Sequence, residues 1–74
     1  MRAEGYERRR QELAGWPVVI VSYRLGERFI CEIESGGAGT RLARAEGASR
    51  EAVEREAMAT GSERLARTQV HEID

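Results

Sequence analysis

The residue types that most often do chemistry are scarce in this sequence, and they lie far apart. Cys31 is the one cysteine and His71 is the one histidine. A reactive thiol needs a nearby base, and a zinc site needs several ligands at short spacing; neither pattern surrounds these two residues. We therefore predict an inert, buried Cys31 and a solvated His71. No catalytic residue, metal or cofactor is expected, and the protein is predicted not to be an enzyme.

Two other motifs could bind anions. The glycine-rich segment 35–39 lacks the Gly-Lys-Ser/Thr ending and the following helix of a phosphate-binding loop, so a plain turn is expected. A run of three arginines lies close to glutamates on both sides, which is typical of a solvated helix face but leaves contact with phosphates open. The residues that could contact nucleic acid are Arg8, Arg9, Arg10 and Arg50.

The charge balance argues against binding that depends mainly on phosphate neutralisation. Twelve arginines, with no lysine, stand against thirteen acidic residues, and the formal net charge is −1. The 74 residues fit one small domain, 1–74, which would bury only about 60% of its unfolded surface and be marginally stable without self-association or a partner. The longest apolar run, 16–21, is too short to span a membrane, and we expect a cytoplasmic protein.

The elements that must position these residues follow from periodicity and turn residues. Residues 3–14 are rich in helix formers and stop at Gly15, which predicts a first helix. Two stretches of β-branched and aromatic residues predict strands at 16–24 and 27–34, joined as a hairpin. Residues 40–46 predict a weaker third strand that completes an antiparallel meander, with a helix as the alternative.

The C-terminal part of the chain predicts a second helix over residues 50–67. Ser49 is the expected N-cap. Four residues recur every fourth position and should face the sheet: Val53, Ala57, Gly61 and Leu65. Because glycine inside a helix costs about 1 kcal/mol relative to alanine, Gly61 indicates a close approach to a neighbouring element. Residues 68–74 lack a clear period and are predicted to form a frayed tail.

The register of the hairpin assigns the two faces of the sheet. A turn at Leu25 and Gly26 fixes the strand pairing. It places Ser22 opposite Phe29, Ile20 opposite Cys31 and Val18 opposite Ile33. That face is almost wholly apolar and is the predicted core. The other face also carries apolar residues, more than the solvated face of a monomer needs, and we predict that it contacts a protein partner or a second copy. The residues of this predicted surface are Val19, Val21, Tyr23 and Ile30.

Together these elements predict an α+β fold of two layers in the order α-β-β-β-α, with both helices on one face of a three-stranded antiparallel meander. This order resembles the double-stranded-RNA-binding domain, most closely at Gly47-Ala48-Ser49-Arg50, which opens the last helix, and at Ala57. In that family lysines at the helix start contact phosphates. Here Arg50 keeps one positive charge, whereas Glu51 and Glu54 stand where the family has lysines.

The chain also resembles the HicB-like antitoxin domain over residues 16 to about 67. The resemblance rests on Trp16-Pro-Val-Val-Ile20, on Gly26 in the hairpin, and on Gly47 to Glu51 at the helix start. The family's Pro-x-Leu-x-Gly segment after its second strand is replaced here by residues 35–39, and the first helix is additional. The resemblance implies a small domain that binds a protein partner.

These observations lead to one expected function and one alternative. We expect a small non-enzymatic interaction module, HicB-like, that acts through a protein partner or as a homodimer. The alternative is an RNA-binding module with a fold like that of the double-stranded-RNA-binding domain. Neither a membrane nor a small-molecule substrate is expected as a partner.

Overall fold

The computed structural model of this chain describes residues 3–37 and 40–73. It contains four strands and one helix: β1 (Ala3–Leu13), β2 (Trp16–Leu25), β3 (Arg28–Ser35), β4 (Arg41–Gly47) and α1 (Arg50–Ile73). The strands form one antiparallel sheet in the order β1-β2-β3-β4. The helix packs on one face of this sheet, mainly across β3 and β4. The fold is a two-layer α+β arrangement in the order β-β-β-β-α.

The prediction of a first helix over residues 3–14 is wrong. This segment is β1, so the sheet has four strands and the described chain one helix, not three strands and two helices. A helix there would have had only Tyr6 and Leu13 to bury, which gives it little tertiary stabilisation. As a strand, the same segment pairs with β2 along most of its length, with one interruption between Glu4 and Glu7. Its many charged residues suit the edge of a sheet, where they discourage pairing with other chains.

A tight turn reverses the chain between β1 and β2. Leu13 pairs with Trp16, and the two residues between them both have positive φ, 53° at Ala14 and 82° at Gly15. Positive φ at both central positions is the requirement of a type I′ turn, whose twist matches that of the flanking strands. Alanine is a rare choice there, since its Cβ makes this conformation costly. The turn is therefore poorly marked in the sequence.

The β2–β3 hairpin is present, but its predicted register is wrong by two residues. The observed pairs include Val18 with Ser35, Ile20 with Ile33, Ser22 with Cys31 and Leu25 with Arg28. The turn consists of Gly26 and Glu27, with positive φ at Gly26 alone (63°), the pattern of a type II′ turn. A shift of two residues leaves every side chain on its original face, so the predicted assignment of the faces is unaffected.

The three strands from Trp16 onward lie within one residue of those expected, and segment 40–46 is the strand β4 rather than a helix. The predicted end of the last helix at Arg67 is wrong, because α1 continues to Ile73 and the predicted tail is helical to that residue. Ser49 is the N-cap: its Oγ accepts a hydrogen bond from the amide of Ala52 at 3.3 Å.

The main core lies between α1 and the sheet face that α1 covers. It consists of Val18, Ile20, Cys31, Ile33, Ala43, Ala45, Val53, Ala57 and Leu65. The predicted role of Gly61 is confirmed, because a Cβ there would lie 3.1 Å from Leu13 Cδ2 and 3.6 Å from Ile33 Cδ1. Small residues thus let the helix lie close to the sheet. Within the described residues, no helix has the length and apolar character needed to cross a bilayer.

Candidate functional site

The face of the sheet that points away from α1 is called the open face here. Successive residues of a strand point to opposite sides, so β2 directs Val18 and Ile20 toward α1 and Val19 and Val21 toward the open face. The predicted partner surface, which also includes Tyr23 and Ile30, is therefore brought together on this one face. Tyr23 pairs directly with Ile30 across β2 and β3.

The exposure expected of these apolar residues is not found. Val19, Val21 and Ile30 are only 6%, 8% and 1% exposed, although no second layer covers them within the described chain. Their neighbours on the same face are long side chains from adjacent strands, whose stems shield apolar surface while their charged ends stay in water. Among the side chains described, the one large hydrophobic group that is mostly exposed is Tyr6, at 63%.

Two tyrosines form the aromatic part of the open face. The rings of Tyr6 and Tyr23 are stacked, with centroids 5.6 Å apart and an interplanar angle of 18°. A bulge in β1 at Gly5, where φ is 59° and the register with β2 changes, brings Tyr6 to this place. The Tyr23 hydroxyl donates a hydrogen bond to Glu32 Oε2 at 3.0 Å, and burial, together with this carboxylate, raises the pKa of Tyr23. The stack is thus anchored on its inner ring and exposed on its outer ring.

The half of the open face formed by β3 and β4 is neutralised internally. Two glutamates there each contact two arginines. The distances are 3.8 and 3.6 Å from Glu32 to Arg41 and Arg44, and 3.1 and 3.3 Å from Glu46 to Arg28 and Arg44. Exposed pairs of this kind contribute little stability each, but they leave few free charges on this half of the face.

The centre of the open face carries charges that have no such partners. Among the described side chains, those of residues 4–37 and 40–67, Arg8, Arg10 and Glu34 make neither an ion pair nor a hydrogen bond. Arg10 and Glu34 are the cross-strand neighbours of Val19 on its two sides, in β1 and β3. The β1 side of the central valines therefore presents free cations, and the β3 side presents a free carboxylate.

The four arginines named for contact with nucleic acid do not share one surface. Arg8 and Arg10 belong to the open face, whereas Arg9 and Arg50 lie on the side of α1. Arg9 Nη2 is 3.3 Å from Glu54 Oε1. The Arg50 guanidinium contacts Glu7 Oε2 at 2.8 Å and donates to the carbonyl oxygen of Gly5, also at 2.8 Å.

Arg9 and Arg50 thus join the start of α1 to the edge strand β1. Arg50 also lies over the Phe29 ring, 5.7 Å from its centroid, a cation–π contact that holds the guanidinium in place. Glu54, one of the two glutamates at the helix start, is occupied by Arg9. The start of the helix is therefore a structural junction rather than a row of free cations.

The two residues considered for catalysis, Cys31 and His71, lie in β3 and in α1. Cys31 is completely buried on the core face, and burial, followed by the nearby charge of Glu54, raises the pKa of its thiol to about 11. At neutral pH this thiol is protonated and shielded from solvent. His71 lies in α1, but its side chain is outside the part of the chain that the structure describes. Across the described residues, no group of three or more potential ligands could hold a metal ion.

A shallow cavity of about 400 Å³ lies at one end of the open face, where the β1–β2 hairpin approaches the glycine-rich segment. Arg10, Glu12, Pro17, Val19 and Gly37 are among its lining residues. Gly36 closes its edge by donating a backbone hydrogen bond to the Pro17 carbonyl at 3.0 Å. The plain turn predicted for 35–39 extends over residues 38 and 39, which lie outside the described residues. The cavity gives the free guanidinium of Arg10 room to contact another molecule.

Sequence reasoning missed Tyr6 and the position of Arg8 and Arg10 on the sheet, because it placed them on a helix. The one local signal was Ala14-Gly15, two small residues between runs that could both be extended. Comparison of the chain with models of protein families, with curated proteins and with solved structures finds no match. The resemblances to the double-stranded-RNA-binding domain and to the HicB-like domain therefore stay predictions.

Proposed function

We propose that this chain is a non-enzymatic protein-interaction module that binds its partner through the open face. The observation that carries the proposal is the arrangement around Val19 and Val21: an exposed aromatic stack at one end and unpaired charges on both sides. Interfaces between proteins have an apolar centre and a polar rim, and tyrosine and arginine contribute more than most residues to their binding energy. The residue types of the open face follow this order; because Val19 and Val21 are only 6% and 8% exposed, the arginines and the exposed tyrosine supply most of the surface that a partner can contact.

Two further observations support this proposal. The chain is small, and one whole face of its sheet has no covering element within the described residues, so a partner would add stability by mass action. The best candidate nucleophile, Cys31, is buried as a neutral thiol. The HicB-like resemblance also implies a protein partner, and it rests on strand β2 and on the start of α1.

The experiment compares two arginine substitutions at exposed positions. Tagged wild-type chain is purified from its own cells, copurifying proteins are identified by mass spectrometry, and the strongest candidate is purified and titrated against the chain by calorimetry. Arg10→Glu on the open face should weaken binding of that partner at least about tenfold, since it removes an attraction and adds a repulsion. Arg55→Glu, on the exposed surface of α1, is the matched control and should bind like the wild type. Equal binding by all three proteins would contradict the proposal.

One specific observation favours RNA as a second candidate. Arg8 and Arg10 are free and lie on the same face as the exposed Tyr6 ring, and single-stranded nucleic acid is bound by combining guanidinium–phosphate contacts with base stacking. Glu12 and Glu34, which repel phosphates, share that face. Titration with single-stranded and duplex RNA at low and high salt tests this alternative. Binding that falls steeply with salt and is abolished by Arg10→Glu would favour RNA over a protein partner.

A further inference from the structure

We propose that the partner of the open face is a second copy of this chain. The two copies pack with their open faces together, around a two-fold axis that lies between the two sheets and is parallel to β2. This inference rests on the proposed function, because it names the occupant of the same surface. It is carried by the distribution of charge on the two sides of β2.

The register places the charges in two rows across the sheet. One row is Arg10 in β1, Val19 in β2 and Glu34 in β3. The next row is Arg8, Val21 and Glu32 in the same three strands. Over these three strands both rows read positive, apolar, negative. In β4 the rows continue with Arg41 and Arg44, which are 3.8 and 3.6 Å from Glu32, so Glu34 is the free carboxylate of the pair. A surface with cations on one side of a central apolar line and carboxylates on the other is complementary to a copy of itself.

A two-fold axis along β2 uses this complementarity fully. Rotation about that axis places β2 of one copy over β2 of the other and exchanges the positions of β1 and β3, so the arginines of each copy lie opposite the glutamates of the other. Every contact then occurs twice, as in any isologous interface. An axis perpendicular to the strands would instead place β1 over β1 and bring arginine against arginine. Electrostatic repulsion disfavours that arrangement.

The pair between Arg10 and the second copy's Glu34 should be the strongest of these contacts. Glu32 already contacts the Tyr23 hydroxyl and two arginines, whereas Glu34 makes no side-chain contact of that kind within the described chain. In the same geometry the exposed ring of Tyr6 lies over the second copy's Ile30, because Ile30 pairs with Tyr23 next to the aromatic stack. The dimer would thus cover the one large hydrophobic side chain that the described monomer leaves exposed.

Two single substitutions test the axis directly. In Arg10→Glu both intersubunit pairs become glutamate against glutamate, and in Glu34→Arg both become arginine against arginine. Each variant alone should dimerise at least about tenfold more weakly than the wild type in sedimentation equilibrium. An equimolar mixture of the two should form a heterodimer as tight as the wild-type dimer, because both pairs again join opposite charges. Arg55→Glu and Glu56→Arg, on the exposed side of α1, should change neither dimerisation nor mixing.

A second measurement does not depend on the charge variants being folded. Residues of β2 lie beside the axis and face their own copies across the roughly 10 Å that separates packed sheets, a distance too long for a disulfide, so Val21→Cys in a Cys31→Ala background should be cross-linked to its own copy by a bismaleimide of that reach. Thr60→Cys in the same background, on the exposed side of α1, should not. A wild-type chain that stays monomeric at millimolar concentration, or a dimer that neither charge variant weakens, would overturn the inference. If the wild type is monomeric while Arg10→Glu still abolishes binding of another purified protein, the interaction function stands and only its occupant is wrong.

Discussion

The two faces of one sheet bury similar aliphatic residues by different means. Strand β2 shows the contrast most clearly, because five consecutive residues, 18–22, are buried and alternate between the faces. On one side α1 covers them with small and aliphatic side chains. On the other side no helix lies over them within the described residues, and their cross-strand neighbours are arginine, glutamate and tyrosine residues of the sheet itself. Burial on a sheet face therefore does not by itself indicate that a second layer or a partner is present.

The difference has a functional consequence. A cover made by a helix is fixed, since Gly61 and Ala57 lie against the sheet and leave no room for rearrangement. Long charged side chains can change conformation, and the charges at their ends determine which molecules bind there favourably. The helix face thus stabilises the fold, and the open face is the surface that we propose for binding.

Two isoleucines of β3 compare the faces within one strand. Ile33 faces α1 and Ile30 faces the open side, and both are essentially unexposed (0% and 1%). Ile33→Ala should reduce the free energy of unfolding by about 3–4 kcal/mol, since the packed helix cannot fill the cavity. Ile30→Ala should cost only about 1–2 kcal/mol, because flexible stems can move into the space. Urea unfolding followed by circular dichroism measures both.

The comparison between these variants is informative because side-chain type, strand and burial are matched. If Ile30→Ala cost as much as Ile33→Ala, the cover of the open face would be as rigid as the helix. A dimer would produce the same result by packing the open face, so the measurement is made at several protein concentrations. A cost for Ile30→Ala that grows with concentration would show that a second copy packs on the open face in addition to the side chains of the same sheet.

The second prediction concerns pH and the helix face. Burial raises the pKa of Cys31 from 9.0 to about 11, so the folded chain keeps a proton that the unfolded chain loses in this range. The stability that this shift contributes is complete below pH 9 and is lost as the pH rises through 11. The total loss should be on the order of 2 kcal/mol. Unfolding in urea at a series of alkaline pH values measures it.

Cys31→Ala is the control, because it removes the thiol that titrates. In this variant the free energy of unfolding should no longer fall from about pH 9 upward, whatever its value at neutral pH. Tyr23, on the open face, also has a raised pKa. The free energy of unfolding of both proteins should therefore still fall above pH 10, where the unfolded chain loses the tyrosine proton more readily than the folded chain. An unchanged decline in Cys31→Ala would mean that the thiol is not desolvated and that the helix face is more open than its packing indicates.

The elements of secondary structure could be predicted where hydrophobic residues recur at a regular spacing, and could not be predicted where that spacing is missing. Runs of β-branched residues marked β2 and β3, and the four-residue spacing from Val53 marked the buried side of α1, because in each case burial imposes a period. Strand β1 has no such period: its residues facing α1 include Arg9 and Gln11, which gain order from neighbouring strands and from Glu54. An edge strand made of helix-forming residues cannot be recognised from local propensity.

The candidate site was predictable in the same partial way. The face assignment of Val19, Val21, Tyr23 and Ile30 followed from strand alternation, which a register error of two residues does not change. The low exposure of Val19 and Val21 could not be foreseen, since both lie beside β1, a segment whose composition predicts a helix. The rows of charged residues across β2 could not be predicted either, because they exist only when β1 pairs with β2.

The turn that produces this pairing gives the third prediction. Ala14 has φ 53°, a conformation that costs an alanine about 1 kcal/mol or more. Ala14→Asn should stabilise the chain by about 1 kcal/mol, because Asn-Gly is a preferred sequence for a type I′ turn. Ala14→Gly should give less, since glycine also adds freedom to the unfolded chain. Thermal unfolding of the two variants measures the difference, and a loss of stability in both would contradict the assigned turn.

The smallest expected effect separates two adjacent arginines that lie on opposite faces. Arg9 pairs with the partly exposed Glu54 on the side of α1, and a double-mutant cycle with Arg9→Ala and Glu54→Ala should give a coupling of only about 0.5 kcal/mol in the stability of the monomer. Arg10 has no such partner among the described residues, so Arg10→Gln, which keeps most of the stem beside Val19, should leave that stability unchanged within about 0.5 kcal/mol. Self-association should respond in the opposite order: Arg10→Gln weakens it, and Arg9→Ala does not, because of these two guanidinium groups only that of Arg10 lies on the open face. Urea unfolding at low protein concentration and sedimentation at high concentration supply the two readouts. Equal effects of the two substitutions on self-association would show that the two faces do not differ in binding.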